Sequence, residues 1–163
     1  MNTYRMSLHS EYRMKNLMQR HGIIAKWTAF DKTTPGDFTT SCGLILDVKT
    51  AVGSYSWFFN IVNLERPRHM IHFYLCETIQ EDDGSTDVFI FPFNCSVILR
   101  TNSSITISAR QNKKGLYAFY KNNWDLVSNL LNPTLNQHPI WVRIVEKSWD
   151  KLDQLIAAKP LNL

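Results

Sequence analysis

A mixed α/β domain, with a central sheet covered by helices, is the fold class that this sequence predicts, on two observations. Helix-period apolar spacing opens the chain and returns near residue 114; between these segments lie short β-branched and aromatic runs separated by turn signals. The 163 residues, 44% hydrophobic and 20% charged, are expected to form one domain spanning 1–163, long enough to bury a core.

The elements follow in order. Residues 7 to 21 read as a helix, because Ser7 can cap it, Leu8, Leu17 and Met18 recur at helical spacing, and Gly22 can end it. Residues 23–27 are apolar and β-branched enough for a strand, and Thr33, Thr34, Pro35 and Gly36 form a turn. Short strands are expected around Asp37 and Phe38, then at 44–49, 57–62, 71–77 and 88–91, with Asp82, Asp83, Gly84 and Ser85 turning the chain before the last. After Pro92 a short helix is expected over 93–100, then a strand at 105–108. Leu116, Phe119, Tyr120, Trp124 and Val127 give helical spacing to 114–131, and a strand at 139–145 precedes a terminal helix capped by Ser148 and running through Ala158.

Several function classes drop out. No apolar run approaches the roughly 20 residues of a membrane span, and the first residues have no apolar signal core. Three widely spaced cysteines without a Cys-x-x-Cys pair imply free thiols in a reducing, cytoplasmic setting. His69 and His72 lie three apart in an extended segment and so point to opposite faces, which argues against a shared metal. Nothing matches a phosphate-binding glycine loop or a serine-nucleophile turn. A net charge of +4 and a pI of about 9.0 permit a polyanionic partner without requiring one.

The segment with chemical content is 44–49, an apolar run that contains Asp47 and Lys49. Alternation puts Leu44, Leu46 and Val48 on one face and Ile45, Asp47 and Lys49 on the other. Charges in such a strand must pair, bind a metal or reach water. A simple Asp-Lys pair at a sheet edge is one solution. Asp37, ten residues before Asp47 and after the Pro35-Gly36 turn, offers another. A hairpin would bring the two carboxylates to one pocket, a donor set that suits Mg²⁺ together with water and phosphate oxygens. Glu11 shares its helix face with Leu8, Lys15 and Met18, so it can face the sheet; a surface pair with Lys15 is the alternative.

This arrangement resembles the PD-(D/E)XK nucleases: a helix bearing a glutamate (Glu11), an aspartate after a proline turn (Pro35-Gly36-Asp37), then Asp47-Val48-Lys49 on the next strand. Gly36 departs from the pattern by separating the proline from its aspartate. The resemblance covers roughly residues 7 to 92. It implies a restriction-endonuclease-like αβββαβ core and a Mg²⁺ ion ligated by Asp37, Asp47 and the Val48 carbonyl. Glu11 would assist through a bound water and Lys49 would position the attacking water, so the catalytic set is Glu11, Asp37, Asp47 and Lys49.

The implied activity is sequence-specific hydrolysis of double-stranded DNA by an enzyme of restriction or homing type, acting as a homodimer or homotetramer because two strands need two sites. A Holliday-junction resolvase and a non-catalytic nucleic-acid-binding or assembly protein are the alternatives. For DNA contact, the polar loop carrying Arg110, Gln111, Lys113 and Lys114 has donors suited to phosphates and base edges, with Arg66 and Arg68 a second pair. A solvated loop is the alternative there.

Overall fold

The computed structural model describes residues 3–29, 36–41, 43–60, 71–92, 95, 98–101, 104–108 and 116–129. Helix α1 (Thr3–Arg20) begins one turn before Ser7, which therefore lies inside it. Leu8, Glu11, Met14 and Met18 recur at helical spacing and are buried. Gly22, at φ 70°, closes the helix. Its N–H reaches Gln19 O at 3.2 Å and the Ile23 N–H reaches Met18 O at 2.9 Å, a left-handed glycine closure that satisfies two terminal carbonyls.

The chain then forms β1 (Ala25–Trp27), β2 (Phe38–Thr40) and β3 (Ile45–Val52), an antiparallel meander. Strand β4 (Ser56–Asn60) leaves for a second sheet, and β5 (Phe73–Ile79) returns parallel to β3. Strand β6 (Thr86–Pro92) pairs antiparallel with β5, giving a five-stranded mixed sheet of order β1-β2-β3-β5-β6. The second sheet has the order β4-β8-β7, with β7 at Ile98–Arg100 and β8 at Ser104–Ser108.

Each face of the large sheet has its own core. Leu46, Val48, Phe73 and Leu75 pack with α1 residues and with Trp124 and Val127. On the other face, Ile45, Tyr74, Cys76, Phe89 and Phe91 meet Trp57, Ile98, Ile105 and Ile107 of the small sheet. Strand alternation produces the division: neighbouring residues of β3 and β5 serve opposite cores. The fold is mixed α/β as expected, but strand-rich. Among the described residues the second face is covered by a sheet rather than by helices.

Two expected helices give way to other structure. Within 93–100 the described residues include β7, whose apolar residues complete the small sheet, and Thr101 N beyond it donates to Ser104 O at 2.9 Å. Within 114–131 the chain forms a 3-10 turn at Leu116–Phe119 and a short α2 (Asp125–Ser128). Between them Ile90 N donates to Tyr120 O and Asn122 N to Val88 O, both at 2.9 Å, so this backbone pairs with the open edge of β6 instead of continuing a helix. Asn122, at φ 52°, makes the bend. The strand and helix expected at 139–145 and 148–158 lie outside the described residues. Among those described, no helix is long and apolar enough to cross a membrane.

Candidate active site

Asp37 is pinned by its backbone before its side chain does anything. Its N–H donates to Leu46 O and its carbonyl accepts from Thr28 N, both at 2.8 Å, so it is tied to β3 on one side and to the end of β1 on the other. Gly36 makes this approach feasible. It sits at φ 72°, and a Cβ there would lie 2.6 Å from Ile45 Cγ2 and 2.8 Å from Leu46 O. The residue that departs from the family pattern is thus the one the tight approach to β3 requires.

Asp37 directly precedes the Phe38–Leu46 pair and Asp47 directly follows it, so the antiparallel strands bring the two aspartates near each other. The Asp37 Oδ2 accepts the Val48 N–H at 2.7 Å, and Lys49 Nζ lies 2.9 Å from Asp47 Oδ2. Glu11 enters from α1, buried, and its Oε1 accepts the indole N–H of Trp27 at 3.0 Å. The three acids are close enough to act on one another, Asp37 on Glu11 and Asp47 on Asp37, each raising its neighbour's hold on a proton.

The electrostatics agree with that geometry. Burial, then the charge of Asp47, pushes Asp37 up to about 6, against the opposing pull of Lys49 and the Val48 N–H. Burial, then the charge of Asp37, holds Glu11 well above the usual carboxylate range. Among the described residues, Lys49 pairs with Asp47 and its charge also acts on Asp37, while its side chain is 17% exposed. The cluster therefore has room for protons or for further positive charge.

Among the described residues, no three His, Cys, Asp or Glu side chains stand in an arrangement that could hold a metal ion. A hard divalent cation does not need three side chains. Two carboxylates, a main-chain carbonyl and waters suffice, and the two aspartates on adjacent strands beside Val48 offer that donor chemistry. The chemistry of that donor set is compatible with a hard divalent cation such as Mg²⁺.

Glu11, Asp37, Asp47, Val48 and Lys49 are thus brought together. Arg66, Arg68, Arg110, Gln111, Lys113 and Lys114 lie outside the described residues, as do Pro35 and His69. His72 is structural, its Nδ1 accepting the Ile45 N–H at 2.9 Å. Cys76 and Cys95 are free and buried.

Sequence reasoning missed Trp27 as the partner of Glu11. It also missed Glu77, completely buried on β5. There Arg13 grips Glu77 with Nε at 2.8 Å and Nη2 at 2.6 Å, and Ser10 Oγ adds a bond at 2.8 Å. The signal was present: Glu77 is a lone acid in an apolar strand, as Asp47 is, and Ser10 and Arg13 are spaced three apart on α1. Comparison of the chain with family models, with curated proteins and with solved structures finds no match.

Proposed function

We propose that this chain is a Mg²⁺-dependent, sequence-specific endonuclease that hydrolyses phosphodiester bonds of double-stranded DNA, on a restriction-endonuclease-like core. One observation carries the reading: Glu11, Asp37, Asp47 and Lys49, scattered over 39 positions of sequence, converge in one buried cluster. The chain order of helix, turn and strand supports it, as does the β1-β2-β3 meander after α1.

Asp37 and Asp47, with the Val48 carbonyl, would hold the ion, and Glu11 would reach it through water. Bound Mg²⁺ supplies an acidified water and offsets charge building on the phosphate. The chain's own residues provide position. Trp27 orients Glu11, the Val48 N–H orients Asp37, and Asp47 holds the Lys49 ammonium where it can donate to an attacking water or to a phosphate oxygen. Cutting both strands calls for two copies, a homodimer or homotetramer.

The test is conversion of supercoiled plasmid to nicked and linear forms. Cutting is expected in Mg²⁺, none in a chelator, and none by Asp47→Asn. A wild type that cuts neither plasmid nor a randomised duplex library in Mg²⁺, or an Asp47→Asn variant that cuts as well as wild type, refutes the reading. Preferential cutting of four-way junctions would redirect it to a resolvase. One observation favours a non-catalytic protein instead: Asp47 already has Lys49 and Asp37 already has the Val48 N–H, contacts that a purely structural cluster would also make. That reading expects no Mg²⁺-dependent cutting.

A further inference from the structure

The small sheet turns one face to the core and leaves the other open. Trp57, Ile98, Ile105 and Ile107 point inward, so strand alternation turns Phe58, Leu99 and Thr106 outward. The register sets these three in one row across the sheet, Phe58 of β4 opposite Thr106 of β8, and Thr106 opposite Leu99 of β7. Phe58 is 64% exposed and Leu99 59%. The next row on this face is Ser56 opposite Ser108, side chains too small to shade the ring.

Charge singles out the same sheet. From Val88 to Trp124 the sequence holds Arg100, Arg110, Lys113, Lys114 and Lys121 and no Asp or Glu. That stretch contains β7 and β8, and its formal charge exceeds the +4 of the whole chain, so the remaining residues are slightly acidic. Strand β4 is uncharged. Arg100 belongs to β7 and follows Leu99. Arg110 comes two residues after β8, so its backbone is within about 7 Å of the strand's end. Even with Asp87 set against Lys121, at 3.3 Å, the stretch keeps a positive surplus that complements a polyanion.

Size decides what such a face can hold. Three strands span about 14 Å and the five residues of β4 or β8 about 17 Å, roughly 240 Å². A stable dimer buries about 800 Å² on each partner, so a second copy of the chain needs far more surface than this. About two or three bases of a single strand fit, because an aromatic ring on an open sheet stacks any unpaired base. In a duplex the bases are already stacked on one another and offer no free face. Beside the ring, Leu99 suits deoxyribose, whereas a ribose 2′-hydroxyl laid on it would lose water without gaining a partner.

We propose that the outer face of the small sheet binds single-stranded DNA, with a base stacked on Phe58, the neighbouring sugar on Leu99, and the basic stretch contacting phosphates. This surface goes beyond the endonuclease reading and does not depend on it.

The measurement is fluorescence anisotropy of a labelled oligothymidylate, in chelator so that nothing is cut, beside sedimentation velocity of the free protein. Phe58→Ala is expected to weaken binding by about 5- to 160-fold, the loss of one stacked base. Phe58→Leu, which keeps apolar bulk without a ring, should weaken it as well, and Phe58→Trp should keep it. These two variants carry the test if circular dichroism shows the alanine variant unfolded. Wild-type binding should weaken with salt by about 0.7 of log-log slope per phosphate contact. A wild type that binds no oligothymidylate, or a Phe58→Leu variant that binds as well as wild type, overturns the proposal. Tighter binding of oligouridylate, or of a duplex of the same length, overturns it too. A fall in sedimenting mass in Phe58→Ala/Leu99→Ala would assign the face to a second copy and overturn it likewise. Plasmid cutting in Mg²⁺ is scored separately: Phe58-dependent binding by a protein that cuts nothing supports this surface and refutes only the endonuclease.

Discussion

A carboxyl buried beside two others must keep its proton or be matched by positive charge. For Asp37, at about 6 in the fold against an ordinary 3.8, the folded chain holds a proton that the unfolded chain has released between about pH 4 and 6. The contribution of Asp37 to stability therefore falls as pH rises through that window and levels off above it, by about 3 kcal/mol. Glu11, raised too, acts in the same direction. Asp87, held low by the Tyr55 hydroxyl, acts oppositely only below the window. Urea midpoints in metal-free buffer should drop from pH 4 to 6, and Asp37→Asn should flatten that drop. A wild-type midpoint that rises across the window refutes the assignment. Lys49 gives a second prediction at this scale. Its replacement by Ala should slow plasmid cutting by at least about 100-fold, the scale of a lost proton-transfer or positioning group, with duplex binding kept. Equal cutting rates would remove Lys49 from the mechanism.

Elements decide whether those residues meet. The Gly36 turn sets the end of β2 against β3, and Gly36→Ala meets both a positive φ and a 2.6 Å contact with Ile45. It should destabilise the fold by about 1–3 kcal/mol and displace Asp37, with cutting lost even where the chain remains folded by circular dichroism. Helix α1 is held differently, by Arg13 and Ser10 on the buried Glu77 carboxylate. Arg13→Ala leaves that charge buried without its main partner and should cost about 3–5 kcal/mol in urea unfolding. The double variant Arg13→Met/Glu77→Leu should recover most of the loss, because an apolar pair of similar size avoids the desolvation cost. No recovery would mean that the ion pair itself, and not the stranded charge, holds α1. Since Ser10 adjoins Glu11 and Arg13 follows two residues after it, this anchor also sets how Glu11 meets Asp37.

At the scale of the molecule, the large sheet separates α1 from the small sheet, so one β3 strand serves two cores. The proposed cluster lies where β2 begins and β3 continues past it. Among the described residues one chain presents one such cluster, so on the proposed reading the oligomer dictates how a duplex is cut. A homodimer or homotetramer should convert supercoiled plasmid to linear DNA with little free nicked intermediate, and sedimentation velocity should give at least twice the chain mass. Accumulation of nicked circles by a protein sedimenting as a monomer would refute the symmetric assembly.

Sequence alone was sufficient for α1 and the main strands, because the 3.6-residue and two-residue periods are local properties of each segment. It also singled out Asp47 and Lys49, since a charge inside an apolar strand stands out wherever the strand packs. It was insufficient for 93–100 and 114–131, where a sheet in need of a third strand and an open β6 edge took precedence over local helical spacing. Tertiary structure alone decided that Trp27 meets Glu11, that Arg13 clamps Glu77 and that position 36 has no room for a side chain beside Ile45. Each of these contacts depends on the register and crossing of distant segments. Their strength comes from burial, which only the assembled fold provides.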